Sequence, residues 1–246
     1  MNTKEQFEQN GFAIVGSFIV GNELMAVKNE LDRFIAEDLH SLPPEYAFFE
    51  DLSNQDSLKQ IQKLHLHSTF FGELFSGKPR TLAEELLGEN VIPKNLQYFN
   101  KPPRHSRPTP PHQDGFYFMI KPCSAVTLWL ALDAVDEENG CVRYVRGSHV
   151  KGMRHHKRTQ TLGFSQGIAD FDANEITTEE ACTAQPGDLL VHHAMTIHRA
   201  DANQSTTRQR RALGFTYFGE SAREDTAAQA AYQDRLKREM TEAGRI

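Results

Sequence analysis

The chain has 246 residues, 39% of them hydrophobic and 24% charged, with a formal net charge of -6. That length suffices for one large domain with a well-buried core, and no run of about 18 apolar residues could span a bilayer. The negative balance offers no broad positive field for a phosphate backbone, which argues against a nucleic-acid partner.

The opening MNTKEQFEQNGF lacks the apolar stretch and small-residue cleavage site of a secretory signal, so a cytoplasmic setting is expected. Cys123, Cys141 and Cys182 form no CxxC pair, which suits a reducing compartment. Asn22 is expected to cap a helix on which Leu24, Val27, Leu31, Phe34 and Ile35 recur at helical spacing. TLAEELLG signals a second helix, with Thr81 and Glu84 matching a capping box and Gly88 able to supply a left-handed stop. Residues 41 to 80 show no consistent period.

From about residue 95 short apolar or alternating runs are separated by turn residues, the pattern of antiparallel strands. NLQYF, VTLWLAL, CVRYV, DLLVHH and ALGFTYF are the strand candidates. In VTLWLAL, Val126, Leu128, Leu130 and Leu132 share one face and Thr127, Trp129 and Ala131 the other. Asn139-Gly140 reads as a hairpin marker and Pro186-Gly187-Asp188 as a turn. The expected fold is mainly β with flanking helices, a double-sheet β roll and not a doubly wound α/β fold. The expected layout is a single domain over 1–246: a mostly helical part over 1–90, a β core over 91–220 and a C-terminal helix over 221–246, where Tyr232, Leu236 and Met240 recur four apart. The segment 151–180 fits neither pattern. Its length makes it a candidate lid, with a solvated excursion containing one hidden strand as the alternative.

In TPPHQDGFYF an extended backbone points positions i and i+2 the same way, so His112 and Asp114 converge while Gln113 faces away. His198, in MTIHRADANQS, is the candidate third ligand. Two histidines and a carboxylate form the facial triad of non-haem Fe(II) oxygenases, which leaves positions open for oxygen and a cosubstrate. Downstream, RQRRA places Arg208, Arg210 and Arg211 before a strand; an arginine turned inward there would require an anion, and its fork suits a carboxylate. A solvated basic turn is the plainer reading. Phe116, Tyr117 and Phe118 can wall a pocket beside the ligands, at least one of them serving as core. His192 and His193 compete as ligands but are read as strand residues. His65 and His67, lacking an acidic partner, are read as packed or solvated.

HQDGFYF, TLWLALDAVDEENGCVRYVRGSH, PGDLLVHHAMTIHRADANQS and RRA, in this order, resemble the successive blocks of the phytanoyl-CoA dioxygenase-like (PhyH) Fe(II)/2-oxoglutarate oxygenases, as does GFAIVGSFI near the start. The resemblance covers roughly residues 90 to 220. It implies a double-stranded β-helix (jelly-roll) core, with Fe(II) held by His112, Asp114 and His198, 2-oxoglutarate as cosubstrate and O2 as oxidant. The far carboxylate of 2-oxoglutarate would meet Arg210, with Arg211 and Arg208 as alternatives because the spacing from His198 is slightly longer than is usual in the family. Thr127, Trp129 and Gln97 would line the cosubstrate pocket, plain core packing being the alternative for the first two. Arg146, where the family usually has proline, would stand at the substrate mouth or on the surface. Relatives that halogenate replace the carboxylate ligand by a small residue; this chain keeps Asp114, so oxygen insertion is expected.

The activity so implied is hydroxylation of a C–H bond in a small soluble metabolite, with release of succinate and CO2. The basic stretches PRHSR and MRHHKR allow that metabolite to be anionic. Two other readings compete: a zinc hydrolase using the same three ligands around a metal-bound water, and a non-catalytic binding module that keeps the fold.

Overall fold

The computed structural model describes residues 1–104 and 106–244. Its elements, in chain order, begin with helix α1 (Thr3–Asn10), strand β1 (Phe12–Val15) and helix α2 (Gly21–Glu37). There follow β2 (Ala47–Phe49), β3 (Leu58–Ile61), helices α3 (Leu64–His67), α4 (Thr69–Ser76) and α5 (Lys78–Leu87), then β4 (Val91–Phe99) and β5 (Thr109–His112). A single turn of helix, α6 (Asp114–Phe118), precedes β6 (Ile120–Lys121), β7 (Ala125–Ala131) and β8 (Val142–Val145). The hairpin β9 (His156–Thr161) and β10 (Phe164–Ile168) leads through α7 (Ala173–Ile176) to β11 (Glu179–Cys182), β12 (Leu189–His193) and β13 (His198–Ala200). The chain ends on β14 (Ala212–Gly219), β15 (Arg223–Glu224) and α8 (Thr226–Glu242).

Two antiparallel sheets face one another. The larger has the order β1-β12-β7-β14-β4-β3-β2 and the smaller β11-β8-β13-β5. This is the expected jelly roll. Every residue of β7 is buried, because both faces of this central strand are covered. Its alternation sorts as the period-two reading requires. Val126, Leu128 and Leu130 join Leu96, Phe215 and Tyr217 on the outer face, packed against Leu31 and Phe34 of α2, Phe71 and Phe75 of α4 and Leu86 of α5. Trp129 and Ala131 point inward to Val142 and Tyr144 of the smaller sheet. Each fully buried side chain of this size contributes roughly 1.5–3 kcal/mol, so the helical layer fixes the larger sheet and leaves its inner face to form the site.

All five strand candidates are present. The N-terminal part carries more than helices: β1, β2 and β3 lie at the two ends of the larger sheet. Both expected helix starts move upstream. Helix α2 begins at Gly21 behind an extended Val20 that offers no side-chain cap, so Asn22 lies inside it. Helix α5 begins at Lys78 with Pro79 in its first turn, a position where the missing N–H of proline is harmless, so Thr81 is not its cap. Gly88 does end it in the left-handed conformation, at φ 71°.

Asn139-Gly140 is a turn but joins no hairpin, because the strands on either side, β7 and β8, belong to different sheets. The Asn139 and Asp136 side chains each accept from the other's backbone N–H at 2.9 and 3.2 Å, making a corner instead. Gly187 has a positive φ of 93°, and any Cβ there would collide with the Ile19 carbonyl. Among the described residues no helix is long and apolar enough to cross a membrane.

Candidate metal centre and active site

His112 ends β5 and lies directly opposite His198 of β13, which is in turn opposite Tyr144 of β8. Between His112 and Asp114, Gln113 stays extended at φ -122° and ψ 125°, which carries the carboxylate back to the imidazole side. The ligand atoms of His112, Asp114 and His198 lie within 4.8 Å of one another, the arrangement expected from the sequence.

The protonation pattern follows from the neighbours. His112 Nδ1 lies 2.8 Å from the Pro110 carbonyl and His198 Nδ1 3.0 Å from the Thr196 carbonyl. A carbonyl oxygen only accepts, so each Nδ1 carries the hydrogen and each Nε2 presents a lone pair. Those Nε2 atoms stand 3.4 and 3.6 Å from Asp114 Oδ1. Burial pushes the His198 imidazole well below its usual value, which keeps it neutral. Burial alone would raise Asp114, but hydrogen bonding to its carboxylate, including that from His192, holds it well below the usual carboxylate range and ionised. Lone pairs and an anionic oxygen converging on one point repel unless a cation lies between them. The donor set, two imidazoles and one carboxylate, suits a divalent transition metal with open positions.

Asp114 Oδ2 is held separately. It accepts from the Thr127 hydroxyl at 2.7 Å and lies 3.2 Å from His192 Nε2. Thr127, nominated for the cosubstrate pocket, thus holds the ligand carboxylate. His192 is a strand residue of β12, opposite Thr127 in register, and it is not among the converging ligands. Sequence reading set it aside and missed its contact with Asp114. The clue available was its parity: His192 shares the inward face of β12 with Leu190, whereas His193 turns outward to Phe7 and His149.

Arg210 is buried at 5% exposure, and its guanidinium carbon lies 5.1 Å from the centre of the Trp129 ring. Its Nε has no hydrogen-bond partner, and among the described residues no carboxylate reaches it. Burial lowers its pKa to about 10. The neighbouring arginines are engaged elsewhere. Arg211 makes paired bonds to Asp133, and Arg208 binds Asp136 at 2.8 and 2.9 Å and also Glu138. Gly214 lies between Trp129 and Gln97 in the sheet register, and the Phe99 ring packs over it so closely that a Cβ would fall 2.7 Å from that ring. Gln97 accepts from Gln60 at 2.9 Å.

The aromatic run divides. Tyr117 stands 6.0 Å from the His112 ring and donates to the Gln166 carbonyl of β10, Phe116 stacks on His156 at 4.3 Å, and Phe118 packs on Phe218. Gln113, turned from the metal side, donates to the Gly152 and Met195 carbonyls and accepts from the Arg154 N–H, tying two segments to the ligand loop. His65 packs on Phe75 and His67 on Tyr46. Arg146 is a surface residue paired with Glu180. Of the basic stretches, MRHHKR has its first arginine, Arg154, bound to Asp170 and Glu175, and His105 of PRHSR lies outside the described residues.

Comparison with known proteins agrees with this geometry. Mouse (Mus musculus) peroxisomal phytanoyl-CoA dioxygenase is 24% identical over 258 aligned positions, covering 98% of this chain and 75% of its own length. The 1-deoxypentalenic acid 11-beta-hydroxylase of Streptomyces exfoliatus is 31% identical over 163 positions, 61% of this chain and 57% of that protein. The crystal structure of the epimerase SnoN in complex with Fe3+, alpha ketoglutarate and nogalamycin RO superposes with a TM-score of 0.71 at 23% identity, over 89% of this chain and 83% of SnoN. The sequence profile of phytanoyl-CoA dioxygenase (PhyH) matches residues 7–212, most of the chain. The chain therefore belongs to the phytanoyl-CoA dioxygenase family and is an Fe(II)- and 2-oxoglutarate-dependent oxygenase.

Proposed function

We propose that the protein hydroxylates a C–H bond of a small soluble metabolite, with His112, Asp114 and His198 holding Fe(II) and Arg210 holding the far carboxylate of 2-oxoglutarate. The observation that carries this reading is the pairing of a converging His-Asp-His donor set with a buried arginine that, among the described residues, meets no carboxylate. Thr127, bonded to Asp114, and Trp129, beneath Arg210, stand on one face of β7 two residues apart. Two strand residues span roughly 7 Å, a length that a five-carbon diacid can bridge.

When bound, Fe(II) supplies the open coordination positions and electrons through which 2-oxoglutarate and O2 react, with succinate and CO2 released. The chain's own residues do the rest. His112 and His198 present Nε2 because their Nδ1–H groups are tied to backbone carbonyls. Arg210 offers a planar fork to a carboxylate, and the Trp129 ring below it supports the cation with water excluded. Tyr117 and Phe116 wall the ligand side, and Gln97 contributes an amide to the cosubstrate side. Holding the substrate C–H bond close and dry is the protein's main contribution to rate. An anionic group on the metabolite would meet the basic stretch PRHSR, which precedes β5 in the chain. The three free cysteines suit the reducing cytoplasm we assign to the protein.

A zinc hydrolase on the same three ligands leaves the buried Arg210 without a task. The discriminating experiment is a metabolite screen with Fe(II), 2-oxoglutarate and ascorbate. Succinate formed together with a hydroxylated product, and lost in His112→Ala or Asp114→Ala, is expected. Metabolite hydrolysis that needs zinc and is indifferent to 2-oxoglutarate would overturn the proposal.

A further inference from the structure

Asp114 has two oxygens with different surroundings. Oδ1 faces the His112 and His198 Nε2 atoms at 3.4 and 3.6 Å. Oδ2 is turned away, toward Thr127 Oγ1 at 2.7 Å and His192 Nε2 at 3.2 Å. A carboxylate only accepts, so His192 Nε2 must carry the hydrogen, and its Nδ1 is then bare. That bare nitrogen lies 3.0 Å from the hydroxyl of Tyr144, which donates to it. Tyr144, fully buried, stacks on Phe12 at 4.6 Å. The donors therefore run in one direction, from Tyr144 to His192 to Asp114.

We infer that His192 is a positioning residue for the metal centre: kept in one tautomer by Tyr144, it acts with Thr127 to occupy Asp114 Oδ2, so that Asp114 offers the metal a single oxygen. This rests on Asp114 being a ligand, as proposed above. Its consequence is coordination number. A carboxylate free to rotate could bind through both oxygens and take a position that the cosubstrate or oxygen needs, whereas one pinned through Oδ2 leaves that position open. Thr127 and His192 reach Asp114 from β7 and β12 of the larger sheet, and Tyr144 of β8 in the smaller sheet holds His192, so both sheets contribute to fixing the carboxylate.

The test is Co(II) binding to the metal-free protein, by equilibrium dialysis and by the visible absorption of the bound ion, whose intensity reports coordination number. Asp114→Ala tests the ligand reading alone and should lose binding. His192→Phe keeps a ring and removes the donor. We expect it to weaken Co(II) binding by roughly 10–100-fold and to alter the band intensity, with apo thermal stability near wild type. His192→Gln restores a side-chain N–H near the same place and should recover most of the affinity. Tyr144→Phe, which removes one hydroxyl, should weaken binding by about 3–10-fold, the equivalent of one hydrogen bond, and it keeps the idea testable if His192→Phe does not fold. Wild-type affinity and spectrum in His192→Phe, or in Tyr144→Phe where that ring variant cannot be made, would overturn the inference. So would failure of His192→Gln to recover, which would mark His192 as a ligand or as packing. Wild-type affinity in Asp114→Ala would overturn the ligand reading itself.

Discussion

Arg210 is held where an unmatched cation is costly, which makes it a sensitive probe of function. Hydrogen bonds to a charged group contribute about 1.5–3 kcal/mol, so Arg210→Ala should raise the 2-oxoglutarate concentration for half-saturation by roughly 10–150-fold while iron retention changes little. Saturation curves with Fe(II) in excess check this; an unchanged half-saturation would contradict it. His193 makes a different prediction. Burial, with His149 and His192 nearby, lowers its pKa to about 4 from the usual 6.5. The unfolded chain therefore takes up a proton at this position as pH falls through 6.5, while the folded chain resists until about 4, so stability present at neutral pH is lost across that window. The loss from this residue is at most about 3 kcal/mol. Urea unfolding at pH 7 and pH 4.5 should give a smaller drop for His193→Asn, whose side-chain oxygen can still accept from the Met195 N–H, than for wild type; equal drops would contradict the assignment. The convergence of His112, Asp114 and His198 and the burial of Arg210, which follow from chemistry and spacing, were legible in the sequence. That Thr127 and His192 both bond to Asp114 was not read, because this depends on the register of β7 against β12, which no local pattern encodes.

At the scale of elements, strands with strict alternation were easy to find and edge strands were not. β5 reads Thr-Pro-Pro-His, and two prolines without N–H donors argue against a strand; it exists because it forms an edge of the smaller sheet, where an unpaired side tolerates them. β11, Glu-Glu-Ala-Cys, is the opposite edge and carries the charge that discourages further pairing. The candidate lid holds two strands where at most one was foreseen. Its hairpin is tied to the ligand loop by Tyr117 and Gln166, and to α8 by Arg158 with Glu239 and by Ser165 with Tyr232 at 2.5 Å. These are few and partly exposed bonds, the kind of local structure that opens ahead of the core. Limited proteolysis should cut within 151–180 faster without Fe(II) and 2-oxoglutarate than with both, and Tyr232→Phe should widen the difference. Identical cleavage in the two states would dispose of the lid.

Over the whole molecule, the two faces of the larger sheet have separate tasks. The outer face carries the apolar core against α2, α4 and α5, while the inner face carries Thr127, Trp129 and His192. Because stability is concentrated on the outer side, polar and charged groups can be buried on the inner side at tolerable cost and remain available to ligands. The sequence predicts this division through the parity of VTLWLAL, whereas the corner at Asn139-Gly140, misread as a hairpin, required knowing that β7 and β8 part into different sheets. The central claim is that three separated side chains form one metal site with Arg210 across it. Anaerobic titration of Fe(II)-loaded protein with 2-oxoglutarate, followed by the visible metal-to-ligand charge-transfer band, tests it most directly. A saturable band in wild type, absent in Asp114→Ala and reached only at much higher 2-oxoglutarate in Arg210→Ala, is the predicted result. A band that survives Asp114→Ala, or none in wild type, would contradict the account.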